Sequence, residues 1–92
     1  MTRLSDEELR DRLAGSRWRR DGETIVEDRK FDDFAAALAF VAAVGALAEE
    51  ANHHPDIFLH DWNQVRLTLS THSEGGLTER DLSLARQIDG MG

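Results

Sequence analysis

The stretch Glu49–His72, EEANHHPDIFLHDWNQVRLTLSTH, decides how this chain is read. It holds all four histidines, His53, His54, His60 and His72, and the sole proline, Pro55. A long apolar helix is expected to run into His53-His54 and stop there, because a proline disfavours the helical region for the residue before it. Asp56 to His60 then reads as a strand, followed by a loop through Asp61-Trp62-Asn63-Gln64. Beyond it Val65, Leu67 and Leu69 alternate with Arg66, Thr68 and Ser70, the pattern of a strand with one buried face. That strand returns the chain to Thr71-His72. Imidazoles are therefore expected at the ends of two separate elements. Their unperturbed pKa, about 6.5, is the nearest to neutrality of any side chain, so such a group can move protons, hold a metal or bind an anion.

Upstream of the stretch, Phe34, Leu38, Val41, Val44, Leu47 and Ala48 recur at spacings of three and four. This predicts a helix capped by Asp32 and continuing to about Ala51. Alanine fills most of its other positions, so the helix is apolar on several faces. One face is expected to cover a sheet and another to pack on a second subunit; the alternative is an alanine-rich monomer core. Earlier still, Trp18 to Phe31 reads as a hairpin turning at Asp21-Gly22, with strands at about Arg17 to Arg20 and Glu23 to Phe31. The charges after Ile25-Val26 suggest an edge or twisted strand. Capping boxes open a first helix at Ser5, closed by Glu8, and a last one at Thr78, closed by Asp81. Gly15 ends the first, and Ser73-Glu74-Gly75-Gly76 is a turn before the last. The order is α-β-β-α-β-β-α, an α+β fold of two layers with helices over hairpins.

Ninety-two residues make one small domain, residues 1–92, with a narrow stability margin, which makes self-association the expected supplement. Cysteine is absent, excluding disulfides, thiolate metal sites and a cysteine nucleophile. A net charge of −7 disfavours nucleic acid and anionic membrane surfaces as partners. MTRLSDEELR lacks the apolar region of a signal peptide, and the uncharged run Phe34 to Ala48 is too short to span a bilayer, so a cytoplasmic location is expected.

Metal binding is disfavoured, because adjacent imidazoles diverge and no pair of histidines lies at i and i+4 on a helix. No nucleophile elbow, dinucleotide fingerprint or phosphate loop is present. Acid–base chemistry on a small neutral or heterocyclic substrate remains, with His53, His54 and His72 flanking it. Glu49, four residues before His53, either orients that ring or is a solvated charge at the helix end. Trp18 is expected in the core or over the sheet, and His60 at the surface.

At these residues the chain resembles the pterin-4a-carbinolamine dehydratase family. The pattern is Glu49, His53-His54-Pro55, Trp62, Thr71-His72 and Asp81, within LTLSTHSEGGLTERDLSLA from Leu67 to Ala85. The resemblance implies a four-stranded antiparallel sheet covered by helices, and a homodimer or homotetramer. It implies a dehydratase that removes water from 4a-hydroxytetrahydropterin to give quinonoid dihydropterin. That reaction recycles the pterin for an aromatic amino acid hydroxylase and needs no metal or organic cofactor. His53, His54 and His72 are implied as the catalytic histidines, His53 and His72 for proton transfer near the hydroxyl and His54 as a base or a polar contact to the ring, with Glu49 and Asp81 in support; Asp81 holds His72, caps its own helix, or does both. Asn52, Pro55, Trp18, Trp62, Ser70, Thr71 and Ser73 are implied as substrate contacts, the tryptophans walling the ring. Some members carry an aromatic soon after His-His-Pro where Ile57-Phe58 stand here, so the pocket wall is expected to differ. The alternative within the family is a non-catalytic dimerisation or assembly partner.

Overall fold

The computed structural model describes residues 2–91. Its elements are α1 (Asp6–Leu13), β1 (Arg19–Asp21), β2 (Thr24–Lys30), α2 (Phe34–Ala51), β3 (Asp56–His60), β4 (Gln64–Leu69), a 3₁₀ turn (His72–Glu74) and α3 (Glu79–Asp89). The strands form one antiparallel sheet in the order β1-β2-β4-β3. This is the expected α+β arrangement in the expected order, with the alternating strand β4 in the interior.

The register puts Ile25, Glu27 and Arg29 opposite Leu69, Leu67 and Val65. Residues directly opposite share a face. This face meets the helices, and its apolar members join Leu9, Trp18, Val44, Leu77, Leu84 and Ile88 in the core. The other face carries Asp28, bonded to Arg66 across the strand pair and to Arg19 of β1.

Local expectations shift in four places. The first hairpin turns at Gly22-Glu23, since Asp21 still pairs with Thr24, and only Gly22 takes positive φ, 62°. Asp33 rather than Asp32 caps α2, accepting from the Ala36 amide at 2.7 Å. The buried face of α2 is Ala37, Phe40, Val44 and Ala48, while Phe34 and Leu38 stay exposed. Leu38 lies about 120° around the helix from Val44. The seat is chosen by Phe40, whose ring meets that of Phe31 at 5.0 Å, tilted by 39°, and lies under the Arg29 guanidinium. By length and apolar composition alone α2 is sufficient to cross a bilayer, a test that core helices also pass; in the fold one of its faces covers the sheet.

The fourth shift concerns β2, which is interior rather than an edge strand. Its charges are tolerated because Glu27, 1% exposed, pairs with Arg29 on the same face and lies 3.5 Å from Arg17. Arg29 in turn lies 3.6 Å from Asp89, which accepts from the Trp18 indole at 3.0 Å. A buried charge persists when an opposite charge and hydrogen bonds compensate it. Glu27 Oε2 and Arg29 Nη2 have no hydrogen-bond partner among the described residues.

Surface carboxylates give a test. The Arg66 hydrogen bond holds Asp28 below its ordinary value, partial burial opposes this and Arg19 reinforces it. A lowered folded value stabilises above the unfolded pKa, about 3.9, and that contribution fades as pH falls through it toward the folded value. Denaturant unfolding between pH 5 and about pH 3 should therefore show a steeper loss of stability for the parent chain than for Asp28→Asn. Parallel pH profiles would contradict the coupling.

Candidate active site

The site is built where α2 ends. Asn52 caps α2 in the left-handed conformation, φ 50° and ψ 43°. The chain thereby leaves the helix one residue before His53, whose amide still donates to Ala48 O at 3.1 Å. Asparagine tolerates this backbone better than most residues. Pro55 then releases the chain into β3.

His53 turns inward. Its Nε2 lies 2.6 Å from Asp81 Oδ1, and both residues are buried, Asp81 completely. The other Asp81 oxygen accepts from the Thr71 hydroxyl at 2.7 Å and from the Thr78 amide at 2.9 Å. The Thr71 and Thr78 hydroxyls lie 2.8 Å apart. As a carboxylate Asp81 only accepts, so Thr71 donates to it, Thr78 donates to Thr71, and His53 carries its proton on Nε2. In the neutral ring Nδ1 is then the acceptor nitrogen. Charge-assisted bonds of this kind are roughly twice as strong as neutral ones.

His54 turns outward and bonds through Nε2 to Glu49 Oε2, both exposed. His72 opens the 3₁₀ turn just past Thr71, also exposed. Asn52, His53, His54, Ser70, Thr71, His72, Ser73 and Arg80 line one open cavity of about 250 Å³. The Ser70 hydroxyl is occupied, donating to Glu23 O at 2.8 Å.

The sequence-predicted residues thus divide. The three histidines share a hollow with Asn52, Ser70, Thr71 and Ser73. Asp81 stands behind it, and the imidazole it holds is His53 rather than His72, while it also caps α3 as expected. Glu49 holds His54 rather than His53, because Asn52 breaks helical register before His53 and Asp81 has taken that ring. Pro55 does not line the cavity. Trp18, 2% exposed, is in the core beneath α3, away from the histidines. Trp62 is 61% exposed in the three-residue loop joining β3 to β4, beside His60, whereas His53, His54 and His72 gather at the other end of those strands. Neither tryptophan walls the cavity within this chain.

Arg80 is the residue that sequence reasoning passed over. It is the second residue of α3, where the helix dipole disfavours a cation. A positive charge that breaks this rule was the available signal. Its guanidinium crosses to Asn52 O at 2.6 Å.

An α+β chain with an imidazole–carboxylate pair buried beside two exposed imidazoles has the makings of an acid–base enzyme. Comparison narrows the class. The profile of the pterin 4 alpha carbinolamine dehydratase family matches residues 2–91. A protein of Roseiflexus sp. (strain RS-1), provisionally named pterin-4-alpha-carbinolamine dehydratase, is 48% identical over 89 residues, covering 96% of this chain and 95% of its own. The crystal structure of a transcriptional coactivator/pterin dehydratase from Brucella melitensis superposes with a TM-score of 0.90 at 36% identity, covering 98% of each chain. A pterin dehydratase-like protein described as a RuBisCO assembly factor in the alpha-carboxysome is similar with a TM-score of 0.67 at 28% identity, covering 80% of this chain and 87% of its own. The chain belongs to the pterin-4a-carbinolamine dehydratase family.

The Asp81 cluster makes its own forecast. Asp81→Ala leaves three buried donors without their acceptor and should cost about 3 kcal/mol in denaturant unfolding. Thr71→Val, which removes one hydroxyl, should cost about 1 kcal/mol. Equal stability of Asp81→Ala and the parent would show that the cluster does not hold the fold.

Proposed function

We propose that this chain dehydrates 4a-hydroxytetrahydropterin to quinonoid dihydropterin. The observation that carries the reading is the meeting of His53, His54 and His72 in one cavity, with His53 locked by Asp81. Family membership supplies the substrate class. The carbon–oxygen bond at C4a breaks when the hydroxyl gains a proton and leaves as water. The lone pair of a ring nitrogen drives it out, and that nitrogen side of the ring gives up a proton. One proton is donated and one removed, so no cofactor is consumed.

His53 suits the base, because Asp81 keeps the proton on Nε2 and leaves Nδ1 to accept. His72 and His54 are exposed and solvent-coupled, which suits a group that delivers a proton and then recovers it. Glu49 steadies the His54 ring in the orientation that keeps its other nitrogen free. Asn52 and Ser73 offer polar contacts to the pterin edge, while the Thr71 hydroxyl in the cavity wall is engaged by Asp81 and Thr78.

The reaction serves an aromatic amino acid hydroxylase in the cytoplasm. Self-association as a dimer or tetramer is part of the reading, supported by the exposed apolar stripe Ala35, Leu38, Ala39, Ala42 and Ala46 on the outer face of α2. The same stripe is what a non-catalytic dimerisation or assembly role would draw on; the carboxysome relative is described as a RuBisCO assembly factor. The complete histidine set favours the enzyme, since a scaffold has no use for it.

Two measurements decide. Purified chain added to a hydroxylase reaction should speed return of quinonoid dihydropterin; no acceleration by folded protein rejects the dehydratase and leaves the scaffold. His54→Ala and His72→Ala should each lower kcat by about 10²–10⁴-fold, with unchanged Tm because both side chains are exposed. Unaltered turnover in both variants would refute the assignment of the site.

A further inference from the structure

The Asn52–His53 peptide is held at both of its polar atoms. Its N–H donates to Ala48 O at 3.1 Å, and its carbonyl accepts from Arg80 Nη2 at 2.6 Å. Without the second bond, a peptide following a left-handed residue at a helix end has only one tether against rotation. The last carbonyls of a helix also lack partners within it, and the end carries partial negative charge. Arg80 brings a cation to that end of α2, which explains its presence at the beginning of α3, where it is otherwise unfavourable.

His53 lines two hollows. One is the histidine cavity; the other, of about 270 Å³, is bounded also by Ala51, Glu79, Ser83, Leu84 and Gln87. His53 and Arg80 are the two residues common to both. The ring is buried, 8% exposed, and its one side-chain hydrogen bond, to Asp81, restrains only Nε2. The direction in which Nδ1 points then depends on the backbone from which the ring hangs, and Arg80 fixes that backbone. Adjacent residues of one helical turn, Arg80 and Asp81, thereby grip the main chain and the side chain of the same site.

We propose that Arg80 is a positioning residue for the dehydration: it acts through the Asn52–His53 peptide to aim His53 Nδ1 into the histidine cavity. The inference rests on the dehydratase reading for its effect on rate, but not for its effect on His53.

Two readouts separate those dependencies. The first uses the free, full-length protein with ¹⁵N-labelled histidine and no substrate. Arg80→Met should shift or broaden the ring resonances of His53 while leaving those of His60 in place, and Arg80→Lys, which keeps a donor and a charge, should return them toward the parent positions. The second is turnover of 4a-hydroxytetrahydropterin. Arg80→Met should lower kcat by about 10–100-fold with KM changed less than about threefold, as expected for a misaimed group, and Arg80→Lys should recover part of the loss. His53 resonances in Arg80→Met that coincide with the parent's overturn the inference. So does a raised KM at unchanged kcat, which would make Arg80 a direct substrate contact. If the methionine variant is unfolded by circular dichroism, Arg80→Gln decides: shifted His53 signals with lowered kcat support the role, and His53 signals that coincide with the parent's overturn it. An inactive parent with Arg80-dependent His53 signals would fail the dehydratase reading alone.

Discussion

One carboxylate ties this site to its fold. Asp81 is fully buried, yet every bond it makes reaches a different part of the chain: His53 from the end of α2, Thr71 from the end of β4, and the Thr78 amide from its own helix cap. A buried anion is costly unless its lone pairs are met, and here they are met by donors that cannot be supplied separately. The three elements converge because the charge requires all of them. The helix cap and the site are thus one structure, and the imidazole is ordered by the same bonds that begin α3.

What brings those ends together is the sheet. β4 lies between β2 and β3, so its last residues emerge beside the first residues of β3 and below the end of α2. The seat of α2 is set further along by Phe40 against Phe31 and the Arg29 guanidinium. Arg29 is in turn held over the core by Glu27 and Asp89. A salt bridge in the core contributes little net stability against an apolar replacement, but it is demanding about geometry. Here it fixes how α2 lies on the sheet, and α2 delivers Asn52, His53 and His54.

Much of this was legible in the residues. Strict alternation in β4, the two capping boxes and the proline after His54 each report local physics, and local physics settled element order and the whereabouts of the imidazoles. What the chain conceals is pairing at a distance. Of the α2 stripe at spacings of three and four, Val44 and Ala48 are buried as expected, but Ala37 and Phe40 take the places expected of Phe34 and Leu38, with Phe40 seated against Phe31 and the Arg29 guanidinium. Glu27 and Arg29 looked like the mark of an edge strand, since charge compensation across a core is invisible to periodicity. Spacing paired Glu49 with His53 at i and i+4, but that rule holds only while the backbone stays helical, and Asn52 ends the helix first. Arg80 carried a signal, a cation at the wrong end of a helix, that acquires meaning only once α2 is known to end beside it.

The cavity therefore joins two kinds of imidazole. His53 is buried, oriented by a fixed carboxylate and restricted to one available nitrogen. His54 and His72 are exposed and can exchange protons with water. Loss of water from a carbinolamine needs a proton placed on a leaving oxygen and another taken from the ring, in definite positions and without an external charge change. In the dehydration we propose, a locked acceptor gives direction, and solvent-coupled partners restore the protonation state after each turnover. Three equally buried histidines would lack that route to water, and three exposed ones would lack orientation. The arrangement at the end of α2 meets both needs because Asp81 pulls one histidine inward while Pro55 turns its neighbour out.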